Sequence, residues 1–189
     1  MSFDSKLPLV WIDCEMTGLN TFTDNIIEIC CLITDKDLNL IDEKGYESVI
    51  HVPKSKLDAM DQWCLDHHGE SGLIDKVLAS SATKEQVDSE LKSYIAQFMS
   101  PRVGVLAGNS VHMDRNFMIR ELPETVEHLH YRILDVSSIS EFAKRHNPDL
   151  LAKCPPKQYS HTARADIEES IAQMRWLRDN YLIGPDGKE

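Results

Sequence analysis

The sequence predicts an α/β fold, a five-stranded mixed sheet flanked by helices. Three observations lead there. Apolar, β-branched runs joined by short connections crowd the start of the chain. A long stretch of helical periodicity follows, and then two strand–helix pairs and a last helix. Short connections favour antiparallel neighbours, and helices laid over a mixed sheet bury such elements.

The first strand is expected at about 8–14, with Pro8 before it and Thr17-Gly18 after it. The second, 26–34, is apolar and β-branched, and Asp35-Lys36-Asp37-Leu38-Asn39 follows as a turn. A third is expected at 46–52. Residues 54–100 read as helical; the longest piece, 84–99, spaces Val87, Leu91, Tyr94, Ile95 and Phe98 along one face. The fourth strand, 103–107, stops at Gly108-Asn109 and leads into a helix carrying Phe117, Met118 and Ile119. A fifth, 131–134, leads into a helix through Ile139, Phe142 and Ala143. The final helix, 162–180, carries Ala163, Ile167, Ile171, Met174 and Leu177 as a stripe. No repeat or linker divides the chain, so one domain is expected over residues 1–189, with its core at about 8–182.

Composition narrows the function. A hydrophobic fraction of 42% and a charged fraction of 27% are those of an ordinary globular protein. No apolar run approaches the ~18–20 residues of a membrane span. The start, Met1 to Lys6, has neither an apolar signal core nor Arg-rich transit character. Five cysteines without a C-x-x-C read as reduced thiols of an intracellular protein. A net charge of −11 weighs against long nucleic acids as partners, yet leaves room for a short anionic substrate beside bound metal.

Asp13 and Glu15 end the first strand one residue apart. Residues i and i+2 of a strand share a face, so the two carboxylates lie side by side, the form of an anchor for Mg²⁺ or Mn²⁺. A frayed strand end with both acids in solvent has the same pattern. Asp114 follows the fourth strand, and Asp166 lies in the first turns of the last helix, five residues after His161. Taken singly, each Asp reads more readily as a helix-start residue facing the dipole, and His161 as a surface or cap residue. His67-His68 and His128/His130 lack the spacing of a zinc site.

The ordered set is more specific. Trp11-Ile12-Asp13-Cys14-Glu15-Met16-Thr17-Gly18-Leu19, Ala107-Gly108-Asn109-Ser110-Val111, His130-Tyr131-Arg132-Ile133-Leu134-Asp135-Val136-Ser137 and Ser160-His161 closely resemble the DEDDh family of 3′-to-5′ exonucleases, in its oligoribonuclease branch. The run from Trp63 to Leu73 adds to the likeness. The resemblance implies a ribonuclease H-like fold and an exoribonuclease that degrades short RNAs, dinucleotides especially, to 5′-mononucleotides. It implies two divalent ions, Mg²⁺ or Mn²⁺, held by Asp13, Glu15, Asp114 and Asp166. Asp13 would bridge both, with His161 as general base. Leu19 and Trp63 would contact bases, as wedge and stacking platform, and His68 the sugar–phosphate. Ser110, Arg132 and Ser137 would grip the 5′ phosphate, with Tyr131 contributed by the partner of a homodimer. Members of the family occur in cytoplasm and in mitochondria. One departure stands out: Ala165 occupies a position where the family usually has a second acid. A DNA-directed exonuclease and an inactive ribonuclease H-like binding module are the competing functions.

Overall fold

The computed structural model describes residues 6–156 and 162–182. Its sheet has five strands: β1 (Leu9–Met16), β2 (Ile26–Thr34), β3 (Tyr46–Val49), β4 (Val105–Gly108) and β5 (Ile133–Asp135), in the order β3-β2-β1-β4-β5. The first three pair antiparallel, while β4 joins β1 and β5 joins β4 in parallel. The predicted mixed sheet is therefore present, with β1 at its centre.

The helical middle is four pieces: α1 (Lys54–Leu57), α2 (Gln62–Glu70), α3 (Leu73–Ala79) and α4 (Lys84–Ala96). Caps make the breaks. The Asp61 side chain accepts the Cys64 N–H at the start of α2, Gly72 turns left-handed before α3, and Thr83 caps α4. Then follow α5 (His112–Glu121), α6 (Pro123–His128), α7 (Val136–His146), α8 (Pro148–Leu151) and α9 (Ala163–Leu177). α9 runs into a π-helical turn, Arg178–Leu182, where a continuous helix to residue 180 was expected.

β4 starts two residues later than expected, because Val103 closes a turn onto the carbonyl of Ser100. Gly104 ends that turn hard against the sheet: a Cβ there would lie 2.8 Å from Val10 Cγ2. β3 ends at Val49, and the Ser80 hydroxyl then takes the Val49 carbonyl at 2.6 Å.

Alternation along β1 divides the core. Val10, Ile12 and Cys14 pack under α4 and α5 with Val87, Leu91, Ile95 and Phe117. Trp11 faces the other way, with Ile167, Ile171 and Leu177 of α9. Its indole N–H donates to the buried Thr34 hydroxyl at 2.9 Å. All five cysteines are free thiols. No helix among the described residues is long and apolar enough to cross a membrane.

Candidate active site

Trp11 fixes which face of β1 looks at α9, and the period of two carries Asp13 and Glu15 onto that face. α9 brings Asp166 to meet them from its first turn. One carboxylate oxygen from each of Asp13, Glu15 and Asp166 lies within 4.8 Å of the others. The start of α9 is held in place twice over. Thr162 caps it through the Ala165 N–H at 3.4 Å, and the Glu28 carboxylate of β2 accepts the Ala163 N–H. A turn later, Ser170 donates to the Asp166 carbonyl at 2.7 Å and accepts from Asn109, just past β4, at 2.8 Å. Ala165 itself offers the cluster no oxygen.

Asp114 reaches β1 from α5. It lies in the first turn of α5, buried, and its Oδ1 accepts the Cys14 N–H at 3.0 Å. Cys14 stands between Asp13 and Glu15, so this one bond holds α5 against the acid pair.

The electrostatics are those of a cation site. Burial first, then the charges of Glu28, Asp166 and Asp114, push the Glu15 carboxyl up to about 8. Burial likewise raises Asp114, against the lowering effect of the Cys14 N–H bond. Carboxylates gathered so that they oppose one another's ionisation are relieved by a hard divalent cation. The donor set is all oxygen, which suits such an ion.

Above the acids opens a cleft of about 480 Å³, to whose lining Asp13, Glu15, Asp114, Leu19, Trp63, His68 and Ser110 all contribute. Leu19 and Trp63 are 76% and 58% exposed, apolar surface facing water at a cleft mouth. The Trp63 ring stacks on His67 at 3.9 Å between centroids. His68 is buried instead. Its Nε2 lies 2.9 Å from the Met16 carbonyl and so carries the proton, and its Nδ1 is 3.9 Å from Glu15. Burial lowers its pKa. His68 thus ties α2, which presents Trp63, to the end of β1.

Ser110 and Ser137 meet beside the cleft, their hydroxyls 3.1 Å apart. Asp135, at the end of β5, organises them: its Oδ1 accepts the N–H of Ser110 at 2.9 Å and of Ser137 at 3.0 Å. Neither Asp135 nor Glu28 was singled out from sequence. An acid inside the apolar run of β2 was the signal for Glu28. Tyr131 and Arg132 sit in the approach to β5 and do not line the cleft; Tyr131 is exposed, stacked on His130, with the Arg132 guanidinium 5.3 Å from its ring centroid. His161 lies outside the described residues.

Residues 10–174 match the RNase_T family model, described as exonuclease. The mitochondrial oligoribonuclease of Saccharomyces cerevisiae is 57% identical over 189 residues, covering 96% of this chain and 70% of its own length. The chain belongs to the exonuclease family, in its oligoribonuclease branch. The oligoribonuclease of Thiobacillus denitrificans is 43% identical over 174 residues, covering 92% of this chain and 94% of its own. The human mitochondrial oligoribonuclease is 45% identical over 172 residues, with 91% and 72% covered. Solved structures of exonuclease I share the ribonuclease H-like fold. One, from Escherichia coli in complex with a 5cy-dT13 oligonucleotide, superposes with a TM-score of 0.70 at 14% identity over 93% of this chain. Another, from Methylocaldum szegediense, gives 0.68 at 15% identity over 93%. The chain spans about two fifths of the length of these exonuclease I chains.

Proposed function

We propose that the protein is a 3′-to-5′ exoribonuclease that hydrolyses short oligoribonucleotides, dinucleotides above all, to 5′-mononucleotides. The observation that carries this is the meeting of Asp166 with Asp13 and Glu15, two acids that line a cleft to which Leu19 and Trp63 also contribute.

Asp13, Glu15 and Asp166, with Asp114 on the same cleft, would hold two divalent ions, Mg²⁺ or Mn²⁺. Bound there, such ions neutralise phosphate charge and ease both formation of the nucleophile and departure of the leaving oxygen. The rest of the work falls to the chain. His161 takes the proton from the attacking water; an ordinary imidazole pKa of ~6.5 suits that transfer near neutrality. The new P–O bond forms as the bond to the 3′-oxygen of the preceding nucleotide breaks, and that oxygen takes a proton from solvent water and leaves as a hydroxyl. Trp63 offers a stacking face worth ~1–3 kcal/mol per base. Leu19 wedges against the base, and His68 borders the sugar–phosphate.

Ser110 and Ser137, with Arg132, grip the 5′ phosphate, and Tyr131 reaches it from the second subunit of a homodimer. Exposure of Tyr131 in the single chain supports its availability to a partner. A substrate gripped at both ends is read by length. The net charge of −11 fits, since one or two phosphates need few basic contacts. The mitochondrial names of the yeast, mouse and human relatives support placement in mitochondria.

The deciding experiment compares turnover of an RNA dinucleotide, a ~10-mer RNA and a single-stranded DNA end, with and without chelator. Preference for the dinucleotide, lost with chelator, is expected. Equal efficiency on dimer and ~10-mer rejects the length reading, and preference for DNA rejects the substrate class.

A further inference from the structure

The loop between β1 and β2 carries Leu19 to the cleft, and no apolar packing pins its tip: Leu19 is 76% and Phe22 88% exposed. Polar bonds shape it instead. Its neck closes where Thr17 N–H meets the Asn25 carbonyl at 2.9 Å and the Thr17 hydroxyl accepts the Asn25 N–H at 3.0 Å. Asp24 braces the inside, accepting from Asn20 N–H at 2.9 Å and from the Thr17 hydroxyl at 3.3 Å. Gly18 passes so near this carboxylate that a Cβ would lie 2.5 Å from it.

The brace from outside comes from α5. Arg120 donates to the carbonyls of Thr21 and Asp24, and its Nη2 reaches Glu121 Oε1 at 2.7 Å. Glu121 is 3% exposed, and each of its oxygens has a partner in the loop's exit: Asn25 Nδ2 at 2.6 Å and Ile26 N–H at 2.8 Å. α5 is also the helix whose Asp114 grips β1 between the two acids. One helix therefore registers both the acid cluster and the loop bearing Leu19.

We infer that Arg120, backed by Glu121, is a positioning residue that sets the height of Leu19 over the cleft and so how a base is seated against the acids. The inference rests on the proposed contact of Leu19 with a base. A planar guanidinium presents its donors in a rigid fork, so it fixes these acceptors relative to one another, whereas the ammonium of a flexible Lys stem does not. Misplacement of a contact by ~1 Å costs up to ~10²-fold in rate.

A double-mutant cycle tests this, using kcat/KM on a 5′-phosphorylated RNA dinucleotide for wild type, Leu19→Ala, Arg120→Ala and the double variant, with Arg120→Lys as the conservative change. Arg120→Ala is expected to cost about tenfold in the wild-type background and under about twofold in the Leu19→Ala background, with Arg120→Lys intermediate. The rise in Tm on adding Mn²⁺ should be unchanged by Arg120→Ala, because the acids stay in place. A full cost that persists without Leu19, or a loss of the Mn²⁺ shift, overturns the inference while leaving the role of Leu19 standing. A Leu19→Ala variant at the wild-type rate removes the base-contact reading itself, and the inference with it.

Discussion

Glu28 of β2 stands directly opposite Glu15 of β1 in the antiparallel ladder. Like charges facing each other across strands are destabilising, and Glu28 is the largest charge effect, after burial, holding the Glu15 carboxyl up. Lys76 and the Ala163 N–H compensate Glu28 in part. Glu28 therefore has two consequences: it opposes ionisation of an acid of the candidate metal cluster, and it holds the start of the helix that supplies Asp166. Glu28→Gln keeps an acceptor for the Ala163 N–H and removes the charge. The metal-free variant should gain about 0.2–1 kcal/mol, roughly 1–3 °C in Tm. Mn²⁺ affinity, read by calorimetric titration, should weaken about 2–5-fold. A metal-free Tm that falls would show that the bond to α9 outweighs the repulsion.

The raised Glu15 carboxyl makes the metal-free protein sensitive to pH. An unfolded Glu titrates near 4.5, whereas burial and the neighbouring charges push the Glu15 carboxyl in the fold up to about 8. Between those limits the folded state holds a proton that the unfolded state has released. Stability therefore falls as pH rises from about 4.5 to about 8 and levels off above. At ~1.4 kcal/mol per pH unit and ~2–4 °C per kcal/mol, the expected drop in Tm over that window is roughly 10–20 °C. Divalent cation should remove most of it, and Glu15→Gln should flatten the metal-free profile while abolishing turnover. A metal-free Tm that climbs from pH 5 to pH 8 contradicts the assignment.

Much of the sheet was legible because its strands advertise themselves. The run Ile26–Thr34 is the second strand as read, and the stripe Ala163, Ile167, Ile171, Met174 and Leu177 is the buried side of α9. Strand edges were less so: β3 ends where Ser80 meets it and β4 begins only after Gly104 abuts Val10, contacts between residues far apart in sequence. In the site, the i, i+2 spacing of Asp13 and Glu15 carried real information, since their shared face follows from strand geometry alone. Glu28, Asp135 and Arg120 were not legible as site residues. Their partners, Ala163, Ser110 and the Thr21 carbonyl, become neighbours only once strands pair and helices dock.

Asp114 illustrates such a long-range contact, because its Oδ1 holds a main-chain N–H one hundred residues away, at Cys14. Asp114→Asn retains an acceptor oxygen, so it should fold with Tm within about 3 °C of wild type. Asp114→Ala strands the buried N–H, at a cost of about 1–3 kcal/mol. Both should lose most turnover on the dinucleotide. Thermal melts beside rate measurements separate the two effects; equal stability of the Asn and Ala variants would deny the bond its structural weight.

His161 precedes Asp166 by five residues, and its role as proton acceptor is open to kinetics. His161→Ala should slow turnover by ~10²–10⁴-fold, the usual worth of a general base. The Mn²⁺-induced rise in Tm should persist, because the acids are intact. The acid limb of the wild-type pH–rate profile should vanish in the variant. An unchanged rate assigns the proton to another group.

Ser110 occupies left-handed backbone, with φ of 53°, and its N–H is spent on Asp135 Oδ1 and Ser137 Oγ, each at 2.9 Å. A residue with a side chain adopts that conformation at a cost of roughly 1–2 kcal/mol, which glycine avoids. The Ser110 hydroxyl, 3.1 Å from that of Ser137, is the part proposed to meet a 5′ phosphate. Substitution separates backbone from hydroxyl. Ser110→Gly and Ser110→Ala both delete the hydroxyl, so both should lose preference for the 5′-phosphorylated over the unphosphorylated dinucleotide to the same degree. Only Ser110→Gly relieves the backbone, so it should melt about 2–4 °C above Ser110→Ala. Equal melting temperatures would mean that Asp135 and Ser137 fully offset the strain. Unequal phosphate preference would mean that the backbone turn, and not the hydroxyl, shapes the grip.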